Sequence, residues 1–131
     1  LNVKIDKTKF LAYVNKDNKT FYLGSNGKLI YVKGTSNKLP YIFGDLDVDK
    51  FFELLKIIDN SNFNFTDIKN LFFFPSGRWD IETYSGILIK LPKSKIKESI
   101  NLSTKILKHE NFKNTKVLDL RQQNQIIVND E

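Results

Sequence analysis

Apolar and polar residues alternate in many short runs of this chain. Alternation with a period of two is typical of β-strands with one buried face, because successive strand side chains point to opposite sides. Before the first helical pattern there are five strand-like runs: residues 1–6, which alternate strictly, then 10–14, 20–23, 28–32 and the short apolar stretch 39–44. Asn26-Gly27 joins the third run to the fourth, and this dipeptide is a strong signal for a tight β-hairpin.

Two longer stretches repeat their apolar residues every three to four positions, which predicts amphipathic α-helices. The first covers residues 45–59 with Asp47 as its expected N-cap, and the second covers 94–109 with Ser94 in that position. The predicted stripes are Val48, Phe51, Phe52, Leu55 and Ile58 in the first helix, and Ile96, Ile100, Ser103 and Leu107, flanked by Ile106, in the second.

Strand patterns return after each helix. Residues 65–74 predict one strand, and residues 78–83 with 86–91 predict a hairpin whose Trp79 belongs in the core. Most connections between strands are short, so most neighbouring strands should be antiparallel. We therefore expect one domain over residues 1–131, with an α+β fold in which two amphipathic helices pack against a twisted, mostly antiparallel sheet.

The last part of the sequence predicts a final hairpin with arms at residues 116–121 and 126–128. In the first arm, Asp119 and Arg121 fall on the face opposite its leucines, where an ion pair between them would contribute little. Only three residues follow the second arm. We therefore expect this arm to be an edge of the sheet that leaves a row of backbone N–H and C=O groups unpaired.

The chain is basic, with a net charge of +6, but its basic residues are unlike those of most nucleic-acid readers. Only Arg78 and Arg121 are arginines among 21 basic residues, and the lysines are scattered along the chain. Nucleic-acid readers lean on arginine for bidentate contacts to phosphate and guanine. A basic nucleic-acid-binding module is therefore the alternative interpretation rather than the leading one.

The residue types needed for catalysis or metal binding are scarce. The chain has no Cys and a single His, His109, so neither a zinc site nor a Ser-His-Asp arrangement is predicted. Asp45, Asp47 and Asp49 are spaced like the start of a calcium loop, but the glycine and the closing glutamate of such a loop are missing. The sequence thus predicts no enzyme, no metal site and no cofactor.

Five pieces of the sequence, in this order, resemble consecutive parts of the C-terminal β-domain of the FtsQ/DivIB family of bacterial cell-division proteins. LNVKIDKTKFLAYV is similar to the junction that leaves the preceding POTRA domain, and FYLGSNGKLI to the Y-L-I-D-x-x-G-x-V hairpin. LPYIFG resembles L-P-x-x-x-G, and FFPSGRWDIETYSGILIKL resembles R-R-W-x-L-x-L-x-x-G-x-x-I-x-L. KVLDLRQQNQIIV resembles V-D-L-R-Y-x-x-G-x-A-V.

This resemblance implies a non-enzymatic scaffold of the division septum at the periplasmic face of the bacterial inner membrane. Residues 1–9 would follow a POTRA domain, and an anchoring helix would lie upstream. The implied partners are FtsB and FtsL-like division proteins, with no nucleic acid and no cofactor. The implied partner-binding residues are Arg78, Arg121, Gln122, Asn124, Gln125, Ile126, Ile127 and Val128.

The physics of an open sheet edge agrees with that implication. A partner strand added along residues 125–128 would gain backbone hydrogen bonds that depend little on side chains. The two arginines would then pair with carboxylates of the partner. On this hypothesis, Ile127→Pro should abolish binding and leave the fold intact.

Overall fold

In a computed structural model of the chain, the structure describes residues 9–31, 38–109, 114–122 and 127–129. The strand predicted at residues 1–6 lies outside this part. The described elements, in chain order, are β1 (Phe10–Lys16), β2 (Lys19–Gly24), β3 (Leu29–Tyr31), β4 (Tyr41–Phe43), α1 (Val48–Asp59), a short 3₁₀ helix (Phe65–Asp67), β5 (Ile68–Phe73), β6 (Trp79–Thr83), β7 (Leu88–Lys90), α2 (Ile96–Leu107), β8 (Val117–Asp119) and β9 (Ile127–Asn129).

The described strands form one sheet in the order β3-β2-β1-β4-β5-β6-β7-β8-β9. Five of the eight pairings are antiparallel, and the parallel ones are β1 with β4, β4 with β5, and β7 with β8. The expected α+β fold with a mostly antiparallel sheet is confirmed. Within the described part, β3 and β9 are the two outer strands.

Both helices contribute to a single core on one face of the sheet. Trp79 lies in this core, with its ring centroid 4.7 Å from that of Phe73 and 6.4 Å from that of Phe51 on α1. The predicted core position of Trp79 is confirmed. Because α1 and α2 cover only this face, we call the opposite side of the sheet the helix-free face.

Aromatic and charged side chains divide the helix-free face between them. Strand register places a row of rings across β1, β2, β4 and β5, with neighbouring centroids 4.3 to 6.3 Å apart. These rings are Phe10, Tyr22, Tyr13, Tyr41, Phe43 and Phe72. Ionic residues of β6 to β8 lie on the other half of this face, together with Leu88 and Val117. The apolar half ends at β3 and the ionic half ends at β9.

Two irregularities in the strands change which face a residue occupies. Between Ile68 and Asn70 the register shifts by an extra residue, so Ile68 and Leu71 are both buried although they are three positions apart. A similar shift lies between Phe10 and Ala12, and it brings the ring of Phe10 onto Tyr22. A bulge adds one residue to one strand and so reverses the alternation beyond it.

The two helices begin differently from one another. Asp47 is the N-cap of α1, as predicted, and its Oδ1 accepts a hydrogen bond of 3.2 Å from the backbone N–H of Lys50. The prediction that Ser94 caps the second helix is wrong. The cap position is Lys95, which adopts a left-handed conformation with φ of 55°, so the first helical residue is Ile96 and Ser94 stands one residue too early.

Candidate partner-binding edge

Strand β9 occupies the edge that the sequence predicts. Among the described strands it pairs with β8 alone, in antiparallel register, with Ile127 opposite Asp119 and Asn129 opposite Val117. The described strand starts one residue later than the predicted arm and includes Asn129. Asn124, Gln125 and Ile126 lie outside the described residues.

Hydrogen bonds between β7 and β8 determine which backbone groups of β9 face outward. The N–H of Leu88 donates to the carbonyl of Lys116 at 2.9 Å, and the N–H of Leu120 donates to the carbonyl of Lys90 at the same distance. Successive residues of a strand direct their backbone groups to opposite sides, so every second residue of β8 bonds to β7. The alternate residues of β8, Val117 and Asp119, therefore direct their backbone groups to β9.

This alternation carries over to β9 itself. Ile127 and Asn129 stand opposite Asp119 and Val117, so these two residues direct their backbone groups inward to β8. The N–H and C=O of Val128 lie in the plane of the sheet and point away from β8, beyond the edge. A proline at Ile127 would consequently remove a donor from the β8–β9 ladder, whereas a proline at Val128 would remove a donor that the ladder does not use.

Arg121 lies just beyond β8 and forms a bidentate ion pair with Asp119. Its Nε is 2.9 Å from Oδ1, its Nη2 is 2.6 Å from Oδ2, and its backbone N–H also donates to Oδ1 at 3.0 Å. The Asp119 side chain is 11% exposed, while that of Arg121 is 47% exposed. The pair is therefore half-covered, in contrast to the exposed pair that the alternation pattern suggests.

The ion pair shifts the pKa values of both partners. The hydrogen bond from the Arg121 side chain lowers the pKa of Asp119 below its ordinary value of 3.8, and this effect outweighs burial of the carboxyl group, which acts in the opposite direction. Asp119 in turn raises the pKa of Arg121, first through the same hydrogen bond and then through its charge. The carboxylate form of Asp119 is thus the form that the fold stabilises.

Arg78 is more enclosed than Arg121. Its Nη1 donates to Oδ1 of Asp80 at 2.6 Å and to the carbonyl of Leu91 at 3.1 Å, and its guanidinium carbon lies 4.7 Å from the ring centroid of Phe74. Only 15% of its side chain is exposed. A planar cation that stacks on a ring and bonds on one edge is fixed in orientation.

The two arginines belong to one ionic row on the helix-free face. Asp80 of β6 stands opposite Lys90 of β7, which in turn stands opposite Asp119 of β8. Arg78 lies two residues before Asp80 and Arg121 two residues after Asp119, and because β6 and β8 run in opposite directions both arginines flank the row on the same side. The exposed Ile127 of β9 stands opposite Asp119. We call this set, Arg78, Asp80, Lys90, Asp119 and Arg121, the ionic row.

The structure thus brings together most of the predicted site residues that it describes. Arg78, Arg121 and Ile127 share one face, and the exposed Gln122 follows Arg121 directly. Lys90 and Asp80 join them without having been predicted. Alternation alone could assign both residues to their strand faces, but only the parallel pairing of β7 with β8 shows that Lys90 separates two carboxylates.

Nowhere in ranges 9–31, 38–109, 114–122 and 127–129 do three or more potential metal-ligating side chains cluster together. None of the described helices has the length and apolar character needed to span a bilayer.

Comparisons with known proteins identify the family. The model of the family described as "Cell division protein FtsQ/DivIB, C-terminal" matches residues 12–121, which is most of the chain. Among solved structures, the chain is similar to the major extracytoplasmic domain of the cell-division protein DivIB, trans isomer, from Geobacillus stearothermophilus. The two share 17% identity with a TM-score of 0.56, over 78% of this chain and 92% of that one. No curated protein matches the sequence.

Proposed function

We propose, from the premise that this chain belongs to the FtsQ/DivIB C-terminal family of cell-division proteins, that it is a non-enzymatic scaffold of the division septum. In this proposal it binds FtsB- and FtsL-type partners by strand addition at β9. The observation that carries the proposal is the outward N–H and C=O of Val128 on an outer strand. An unpaired strand edge is a template for another chain, and main-chain bonds supply the affinity.

Arg121 supports this assignment through the donors that it has left. A guanidinium carries five N–H donors in a fixed fork, and Asp119 takes one from Nε and one from Nη2. The Nη1 edge is directed away from that carboxylate on a half-exposed side chain. We therefore infer that Arg121 pairs with a carboxylate of the incoming partner strand while Asp119 keeps the guanidinium in position.

Arg78 has a different part in the proposal. Both hydrogens of its Nη1 are engaged, by Asp80 and by the Leu91 carbonyl, and the Phe74 ring lies against the guanidinium. Its contribution to partner binding would be to hold Asp80 in the ionic row, next to Lys90 and Asp119. Removing Arg78 should thus affect stability first and affinity only through that row.

The proposed location follows from the family and is consistent with the extracytoplasmic position of the similar DivIB domain. We propose that the domain lies at the periplasmic face of the inner membrane. In the full-length protein, a POTRA domain and an anchoring helix would precede residues 1–9. Gln122, Asn124, Gln125 and Ile126 would extend the contact beyond β9 along the partner strand.

A nucleic-acid-binding module is the competing proposal, and its support is the net charge of +6. The ionic row offers this proposal little, since Asp80 and Asp119 already pair with the two arginines of the chain. Binding through phosphates weakens steeply with added salt. A gel shift at two salt concentrations therefore separates the two proposals, and we expect no shifted DNA at physiological salt.

Amide hydrogen exchange tests strand addition most directly. In the free domain, the inward N–H groups of Ile127 and Asn129 should exchange slowly and that of Val128 quickly. Adding the periplasmic part of FtsB from the same organism should slow exchange at Val128 and change the other two far less. Binding without any added protection at Val128 would show that the partner uses another surface.

A further inference from the structure

The opposite end of the sheet carries a second outer strand, β3. Among the described strands it pairs with β2 alone, and Ile30 stands opposite Tyr22. The N–H of Gly24 donates to the carbonyl of Lys28 at 3.0 Å, so this pair bonds across the ladder. In an antiparallel ladder bonded and non-bonded pairs alternate, so Ile30 directs its backbone groups inward and Leu29 and Tyr31 direct theirs outward.

Two apolar side chains of this edge are exposed, one on each face. Ile30 is 39% exposed and continues the row of rings on the helix-free face, next to Tyr22. Tyr31 is 54% exposed on the other face and has an edge-to-face contact with Phe21, with centroids 5.8 Å apart. A strand laid along β3 would cover both side chains and lengthen the apolar row by one position.

Positive charge surrounds this edge. The Nζ of Lys19 lies 5.7 Å from the centroid of the Tyr31 ring, and Lys16 is the cross-strand neighbour of Lys19. Lys28 adjoins the start of β3. Among the described residues near this edge, the acidic ones are Asp17, in the turn between the two lysines, and Asp45, which lines the same pocket as Lys16. Within that part of the chain lysines outnumber carboxylates around β3, so the edge favours an acidic occupant.

A second copy of the chain is disfavoured by the same lysines. Two β3 strands paired in antiparallel fashion would bring the net positive charge around the edge of one copy next to that of the other. Like charges opposite one another destabilise a pair of strands. Lysine on an edge strand is a recognised means of preventing such self-pairing.

We propose that β3 is a second strand-addition site, which accepts an extended acidic segment of another protein. The incoming strand would place apolar side chains on the helix-free face, beside Ile30, and carboxylates on the other face, beside Lys19. This site lies across the whole sheet from β9. It is therefore independent of the partner proposed for that edge.

Two probe peptides test the proposal by amide chemical shifts of the ¹⁵N-labelled domain. The first is an acetylated peptide in which valine and glutamate alternate, and the second is the same peptide with lysine in place of glutamate. We expect the acidic probe to shift the amides of Leu29 and Tyr31, and added salt to weaken its binding. The lysine probe should leave those amides unchanged.

Variants sharpen the test. Tyr31→Pro, which removes an outward donor, and Lys19→Glu should each weaken the acidic probe at least about tenfold, and Lys97→Glu on the exposed side of α2 is the matched charge control. Equal shifts with both probes, no shift at β3, or an affinity for the acidic probe that neither Tyr31→Pro nor Lys19→Glu changes would overturn the proposal. The lysines would then serve only to prevent self-pairing of the edge. Val128→Pro should not alter these shifts, so the two edges can fail separately.

Discussion

Two proline variants at neighbouring positions of β9 give the sharpest test of the proposed binding mode. Val128→Pro removes an N–H that points out of the sheet, whereas Ile127→Pro removes one that faces Asp119 of β8. Val128→Pro should therefore weaken binding of the partner and preserve the fold. Ile127→Pro should break the β8–β9 pairing, contrary to the expectation of an intact fold that the strand-addition hypothesis gives from the sequence.

The size of the effect follows from one hydrogen bond. A backbone bond contributes about 1 kcal/mol net, and a partner carbonyl left unpaired in the interface costs about 1 to 3 kcal/mol. A loss of about 2 kcal/mol of binding free energy corresponds to a roughly 30-fold larger dissociation constant. For Ile127→Pro we expect the same loss of affinity or more, together with faster amide exchange at Asp119, because the hairpin itself opens.

Isothermal titration calorimetry with the periplasmic part of FtsB from the same organism measures the affinity, and thermal unfolding with an amide spectrum checks the fold. Val128→Ala is the matched control, because it keeps the N–H, and it should bind within a few-fold of the unmodified domain. If Val128→Pro binds as tightly as Val128→Ala, the partner does not pair with β9. If Ile127→Pro leaves exchange at Asp119 unchanged, the inferred direction of the backbone groups is wrong.

Three further predictions concern side chains. Arg121→Lys should weaken partner binding in the same calorimetric assay with little change in unfolding temperature, because lysine cannot bond Asp119 and a second carboxylate in one plane. Arg78→Lys should lower the unfolding temperature with little change in affinity. Equal losses of affinity in the two variants would contradict this division of roles. Asp119→Asn should destabilise the domain at pH 7. Since the folded-state pKa of Asp119 is depressed, this deficit should shrink as the pH falls below about 4, and a deficit that persists at low pH would exclude the ion pair as its cause. Gly44→Ala should cost at least about 2 kcal/mol in chemical unfolding, because Gly44 has φ of 104° and a methyl group there would overlap the carbonyl oxygen of Phe73; a neutral result would refute that geometry.

Alternation and helical periodicity were sufficient to predict most of the described elements. Period-two runs identified the strands, and the apolar stripe with Asp47 identified α1. What they could not supply was the pairing of strands far apart in the chain. The paired strands β7 and β8 are separated in sequence by the whole of α2. No local pattern indicates which strand a segment will pair with after such a connection.

The candidate site shows the same division between local and distant information. Alternation states which face a side chain occupies, up or down from the sheet. It does not state whether a residue's N–H points left or right within the sheet, because that depends on the bonded register of the neighbouring strand. The edge position of the last strand could therefore be predicted from the sequence. The choice between Ile127 and Val128 as the residue whose N–H points outward could not.

The two arginines carry this reasoning one step further. Each stands two residues from an aspartate on the same face, so the local sequence treats Arg78 and Arg121 as equivalent. Their surroundings differ because Arg78 precedes a central strand and meets Leu91 and Phe74 there, whereas only the outer β9 lies beyond the strand that Arg121 follows. Position within the sheet therefore decides which guanidinium stays exposed to a partner, 47% of the side chain for Arg121 against 15% for Arg78. An arginine becomes a binding residue here when its sheet neighbours are too few to cover it.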